Sequence, residues 1–181
     1  MKLTTLGIFA AAIFLAGCSA TDASGEKQKA YQIGAHKSGT VRFEKLSGYN
    51  SAQTRIANKI TARFAAAGYG EPQQIAAVSV AIRESTLNPK AHNRGCNCYG
   101  LFQMNKSAGL GRGHSVSNLT KADYNISLIL EEAERFPSFG AAKTVDQAIN
   151  AFVRNVTRPA NKPGVVKATI RTARKVEKSA D

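Results

Sequence analysis

The residues of this chain that could do chemistry gather between Ile75 and Asn105, in the stretch IAAVSVAIRESTLNPKAHNRGCNCYGLFQMN. Glu84 follows an apolar run, Ile75 to Ile82, and at helical spacing shares a face with Ala77, Val80 and Ala81. A carboxyl at the rim of a core is desolvated, which disfavours its charged form and raises its pKa. A glutamate held this way keeps its proton near neutral pH and can deliver it as a general acid. Spacing alone leaves a plainer role open, a pairing with Arg83 or another base at a solvated helix end. Further along, Cys96 and Cys98 stand just before Tyr99 and Gly100, with His92 and His114 on either side. Such a set could close a small disulfide, stay reduced, offer Cys98 as a nucleophile beside a histidine, or hold zinc. Zinc would need four ligands from a loop whose spacing fits none of the common zinc patterns, so no metal and no cofactor is expected.

Two short motifs in order narrow the chemistry. Glu84-Ser-Thr-Leu-Asn-Pro-Lys-Ala91, followed by Tyr99-Gly-Leu-Phe-Gln-Met104, resembles the Glu-Ser-x-x-x-Pro-x-Ala and Gly-Leu-Met-Gln signatures of the soluble lytic transglycosylase domain, within the lysozyme-like superfamily. The resemblance implies that Glu84 is the catalytic acid and base at a helix end, that Ser85 is a polar neighbour in the cleft, and that Tyr99, Gly100 and Gln103 form the substrate-side wall. Tyr124-Asn125-Ile126 is similar to the Asn-Ile step of the same family, which adds Asn125 to the substrate-binding set. Downstream the chain departs from the pattern. Where that family carries Ala-Tyr-Asn-Ala-Gly, this chain reads Gln147-Ala-Ile-Asn-Ala-Phe152, with no tyrosine before Asn150. The stretch from Phe152 to Pro159, FVRNVTRP, is closer to phage-tail lysozyme-like domains.

The implied activity is cleavage of the β-1,4 bond between N-acetylmuramic acid and N-acetylglucosamine in peptidoglycan. Glycosidases of the ordinary retaining and inverting kinds use two carboxylates, and from Glu84 to Met104 there is no second one. That favours a lytic transglycosylase with one catalytic glutamate and 1,6-anhydro product ends. Asp123 or Asp146, folded back into the cleft, would support a hydrolytic muramidase instead. A non-catalytic peptidoglycan-binding lipoprotein is the reading from another class, and simple binding has no need of a semi-buried acid.

The elements that must position these residues follow from period and punctuation. Ile56, Ile60, Phe64 and Ala67 fall at helical spacing before Gly68 and Gly70. Pro72 to Leu87 reads as a helix apolar on all sides, hence buried. Pro89 to Lys121 reads as a long loop of the kind that carries function. Ala122 to Phe136 is a helix burying Ile126, Ile129, Leu130, Ala133 and Phe136, with Glu131, Glu132 and Glu134 facing water. Thr144 with Gln147 opens a capped helix through Val156, and Pro163 to Glu177 forms the last, burying Val166, Ile170 and Ala173. The expected fold is mainly α, a lysozyme-like single domain with a long substrate-groove loop.

Ahead of it, Leu6 to Ala16 is an apolar block of about eleven residues, short of the roughly twenty that span a bilayer. It ends in Leu15-Ala-Gly-Cys18, which looks like a bacterial lipobox and implies acylation of Cys18. The expected organisation is a signal peptide at 1–17, a lipidated tether at 18–50 with at most a partly docked end, Tyr31 to Leu46 being the ambiguous part, and the cleaving domain at 51–181. Ser19, where an aspartate would favour the inner membrane, points to an outer-membrane anchor facing the periplasm. In that oxidising compartment the remaining thiols, Cys96 and Cys98, would most simply pair. His36, in the tether, has no partner pattern. The formal charge of +13 suits anionic envelope polymers. Nucleic-acid binding lacks a recognised motif and conflicts with the export signal. The expected partners are peptidoglycan glycan strands and, through Cys18, a membrane, with the protein a monomer.

Overall fold

The computed structural model describes residues 39–180. Helix α1, Ser51–Ala66, starts in a reciprocal cap: Asn50 Oδ1 accepts from the Gln53 amide at 3.0 Å, and Gln53 Oε1 accepts from the Asn50 amide at 2.9 Å. Its apolar face buries Ala57, Ile60 and Phe64. Helix α2, Glu71–Ser85, has Pro72 in its first turn, and every residue from Gln73 to Ile82 is buried. It is the central rod of the molecule, packed against α1 and two later helices. It stops where Thr86 and Leu87 both take left-handed backbone, φ 55° and 60°. Consecutive non-glycine residues rarely do so, because each Cβ crowds the following carbonyl.

The expected loop contains a small antiparallel sheet of order β1-β2-β3: His92–Asn93, Cys98–Tyr99 and Met104–Asn105. His92 pairs with Tyr99, and Cys98 with Asn105. A 3₁₀ turn at Gly109–Gly111 and the short α3, Val116–Leu119, lead to α4, Ala122–Glu134. Next come α5, Pro137–Gly140, and α6, Val145–Ala151, the latter capped by Thr144 Oγ1 accepting from the Gln147 amide at 3.2 Å. The helix foreseen from Thr144 through Val156 is not uniform: after Ala151 it loosens into a π-helical turn, Phe152–Thr157. Helix α7, Lys162–Glu177, then returns across α2, which also contacts α6. Phe64, Tyr69, Phe139 and Phe152 form an aromatic knot, the rings of Phe139 and Phe152 being 4.9 Å apart.

Three expectations are corrected. The segment 39–50, assigned to the tether on composition, is part of the domain: Val41, Phe43 and Leu46 are buried in the same core. Their amides are satisfied by side chains of the helices, Val41 N donating to Gln74 Oε1 at 2.8 Å and Leu46 N to Thr54 Oγ1 at 3.2 Å. Ser47 N then donates to Ser179 Oγ beyond α7. Glu132, expected to face water, is 5% exposed and bound to Arg158 at 2.7 Å and Arg135 at 3.6 Å. Val166, Ile170 and Phe136 are only half-buried, while Thr169, Ala173 and Val176 form the buried line of α7. The leader, Cys18, Ser19 and His36 lie outside the described residues.

Candidate active site

Glu84 occupies the last turn of α2, one residue before the helix ends. It is partly buried, and burial raises its pKa above the ordinary glutamate value, with the neighbouring Arg83 charge opposing the rise. The C-terminal end of the helix dipole acts in the same direction as burial, since its free carbonyl groups disfavour negative charge. No hydrogen bond or salt bridge to another described residue claims the carboxyl group. A half-buried, uncommitted carboxyl with a raised pKa suits the role of a general acid.

The chain beyond Glu84 is bent into a bracket. After the left-handed pair Thr86 and Leu87, it reaches Ala91, whose carbonyl accepts from the Gly100 amide at 2.9 Å and from Gln103 Nε2 at 3.4 Å. Gln103, at φ 46°, also donates to the Gly100 carbonyl at 3.0 Å. Its amide nitrogen is thus spent on the protein. The two motifs are therefore linked physically, the Pro-x-Ala arm of the first receiving the hairpin that carries the second. Ser85 Oγ donates to the Ala81 carbonyl at 3.0 Å, so its hydrogen belongs to the helix and it can meet a ligand only as an acceptor. Tyr99 is half-exposed and stacks on its cross-strand partner His92, ring centroids 4.2 Å apart and planes within 8°. The sequence offered His92 as a zinc ligand or as the partner of a Cys98 nucleophile, not as a stacking partner, and the signal for this contact is the hairpin register, which two-residue strands do not reveal.

Asn125, assigned to substrate binding, is corrected to a positioning role. It is 0% exposed. Its Oδ1 accepts from the Phe102 amide at 3.0 Å, and its Nδ2 donates to the Leu119 carbonyl at 2.9 Å and the Tyr99 carbonyl at 3.4 Å. It clamps the Tyr99–Phe102 turn to α4. Gly100, likewise buried, is no open wall either: at φ +80° it lies against the Asn125 amide with no room for a Cβ.

Cys96 and Cys98 are joined by a disulfide in the turn between β1 and β2. Asn97 between them, at φ 54°, accepts from the Lys106 amide and donates to Ser107 Oγ, both at 2.9 Å. His114 Nδ1 shares a 2.8 Å hydrogen bond with Tyr124 OH. Among the described residues no three of His, Cys, Asp and Glu stand close enough to hold a metal. The carboxylates considered as second catalytic groups are engaged elsewhere. Asp123 meets Lys59 at 2.6 Å and Arg63 at 3.7 Å, and Asp146 takes both oxygens to one nitrogen of Arg174, at 2.7 and 2.8 Å.

The sequence model of the phage tail lysozyme family matches residues 55–179, which takes in Glu84, the bracket and all but the start of α1. No curated protein and no solved structure matches the chain.

Proposed function

The chain belongs to the phage tail lysozyme family, and on that premise we propose that it cleaves peptidoglycan glycan strands with Glu84 as its single catalytic carboxyl group. The observation that carries the proposal is the state of Glu84 at a helix end: desolvated, raised in pKa, and without a hydrogen bond or salt bridge among the described residues. In the proposed reaction Glu84 gives its proton to the glycosidic oxygen as the bond to C1 of the muramyl residue breaks. The substrate's own acetamido oxygen stabilises the positive charge developing at C1. Glu84, now a carboxylate, takes the proton from the muramyl 6-hydroxyl, whose oxygen bonds to C1 and closes a 1,6-anhydro ring. The acid is thereby regenerated and no water is consumed.

Two observations support the anhydro product over hydrolysis. No second carboxylate stands between Glu84 and Met104, and Asp123 and Asp146 are held by cations. Digestion of purified sacculi, followed by mass analysis of the muropeptides, tests this reading. Anhydro ends support it, hydrated ends replace it with a muramidase, and no product at all leaves a glycan-binding protein. The same proposal places the protein on a lipid anchor at Cys18 in the outer membrane. A Cys18→Ala variant that stays with the membrane fraction would remove that part.

A further inference from the structure

The segment that leaves Glu84 has two sides. One receives the hairpin through Ala91; the other, Leu87 to Pro89, forms a wall of a groove of about 610 Å³ whose opposite wall is the first half of α1. That volume lies in the range of small-ligand sites, roughly 300–1,000 Å³. The groove is preformed, because Gln53 Nε2 on α1 donates to the Thr86 carbonyl at 2.9 Å and fixes the two walls together. Its lining combines apolar surface from Ala52, Ile56 and Pro89 over the buried Leu87, the amide of Asn88, and the cations Arg55 and Lys59. The cations are not equivalent. Lys59 is neutralised by Asp123 at 2.6 Å, whereas Arg55 makes no ion pair with any described residue. An apolar trough with one uncompensated guanidinium on its flank suits a short peptide ending in, or branching to, a carboxylate.

We propose that this groove binds the carboxylate-bearing peptide that hangs from the muramyl residue, with Arg55 pairing its carboxylate. The inference rests on the glycan-cleaving reading of Glu84. The peptide is attached to the sugar whose bond is broken, so it must leave the cleft close to Glu84. Leu87 begins only three residues further on, at most about 11 Å of extended chain, a span that a peptide of similar length covers. The groove thus makes cleavage sensitive to whether the wall still carries its peptides.

Binding of three small compounds to the full chain decides the matter: N-acetylmuramic acid with its lactyl carboxyl amidated, the same sugar carrying a short peptide with free carboxylates, and that peptide form with its carboxylates amidated. The free-carboxylate form is expected to bind about tenfold more tightly than the other two, equivalent to about 1.4 kcal/mol. Arg55→Ala should abolish the difference and Arg55→Lys restore part of it, with circular dichroism verifying the fold of each variant. Equal binding of all three compounds, or a preference that survives Arg55→Ala, overturns the proposal. None of these compounds contains the scissile bond. A failure of Glu84 catalysis would therefore appear separately, as intact sacculi, while the preference among the three compounds still judged the groove.

Discussion

Gly100 and Asn125 share one space: any side chain on residue 100 would strike the Asn125 amide and the Leu119 carbonyl. The glycine lets the turn after β2 press onto α4 closely enough for one buried amide to serve Phe102, Leu119 and Tyr99 together. Asn125→Ala should therefore cost about 2–3 kcal/mol, because it leaves buried backbone groups unpaired. Gly100→Ala should cost at least as much, since its φ of +80° and the collision both oppose it. Urea unfolding measures both, and a loss below about 0.5 kcal/mol in either would contradict the clamp.

Replacing Glu84 by Gln keeps shape and reach but removes the transferable proton. Turnover of sacculi should fall by at least about 100-fold, while sedimentation with sacculi persists. Wild-type turnover should decline as pH rises through the elevated pKa of Glu84, a limb that the variant's residual rate should lack. Near wild-type cleavage by Glu84→Gln would move catalysis to another residue.

The same elevated pKa carries a stability signature. A carboxyl whose folded pKa exceeds its unfolded value favours the folded state below the unfolded pKa. That advantage is lost as pH rises from the ordinary glutamate range, near 4.5 in the unfolded chain, through the raised folded value. Glu84→Gln should therefore gain stability relative to wild type across that window and keep the gain at neutral pH. Thermal melts of both proteins from acid to neutral pH measure it, and parallel curves would show that Glu84 is not desolvated. The expected divergence of the curves would mark the active site as a place where function is kept at the expense of stability.

The buried carboxylate of Glu132 is 6% exposed in its side chain, and its nearest cation, Arg158 at 2.7 Å, is 45% exposed. Removing one partner of a fully buried pair costs about 3–5 kcal/mol. With the arginine half in solvent, Arg158→Ala should cost about 2 kcal/mol. Glu132→Gln, which leaves no unpaired buried charge, should cost less. Denaturant midpoints of the two variants order them, and the reverse order would refute the assignment.

Cys96 and Cys98 close so short a loop that little chain entropy is at stake. A Cys96→Ser, Cys98→Ser protein should lose less than about 2 kcal/mol in urea unfolding. Thiol titration of the denatured wild-type domain should find both sulfurs unreactive before reduction and both reactive after it. Free thiols before reduction would show that the pair is not oxidised.

What could be read from the sequence followed the reach of each signal. The 3.6-residue period revealed α1 and placed α4 and α7 within two residues, because each buries a stripe long enough to repeat, while α2 was placed by its unbroken apolar run between Pro72 and Pro89. The position of Glu84 at the rim of α2 followed from the face it shares with Ala77, Val80 and Ala81, whereas its role as an acid came from the motif that begins with it. The sheet escaped because alternation needs at least four residues to declare itself, and each strand has two. Asn125 was misassigned because its motif marks where it lies but not that it points inward. Glu132 looked like one of three solvated acids; the partner that buries it, Arg158, stands 26 residues later, past the π-helical turn. The docking of residues 39–50 depends on Gln74, Asn58 and Thr54, polar side chains whose backbone partners no local pattern announces.

The hydrogen bond from Ser47 to Ser179, 132 positions apart, sets the order in which this domain can be assembled. Central α2 is covered from both ends of the described chain, by the strap around Val41 to Leu46 and by α7, whose Ala173 and Val176 belong to the same core. A chain emerging from its N-terminus therefore cannot enclose α2 until α7 has been made. Loop-closure entropy must be spent before that contact returns anything, so folding is expected to be late and concerted rather than stepwise. Fragments ending before α7 would leave one side of the apolar rod uncovered, open to chaperones and proteases, with Glu84 carried on a helix supported mainly by α1 and α6.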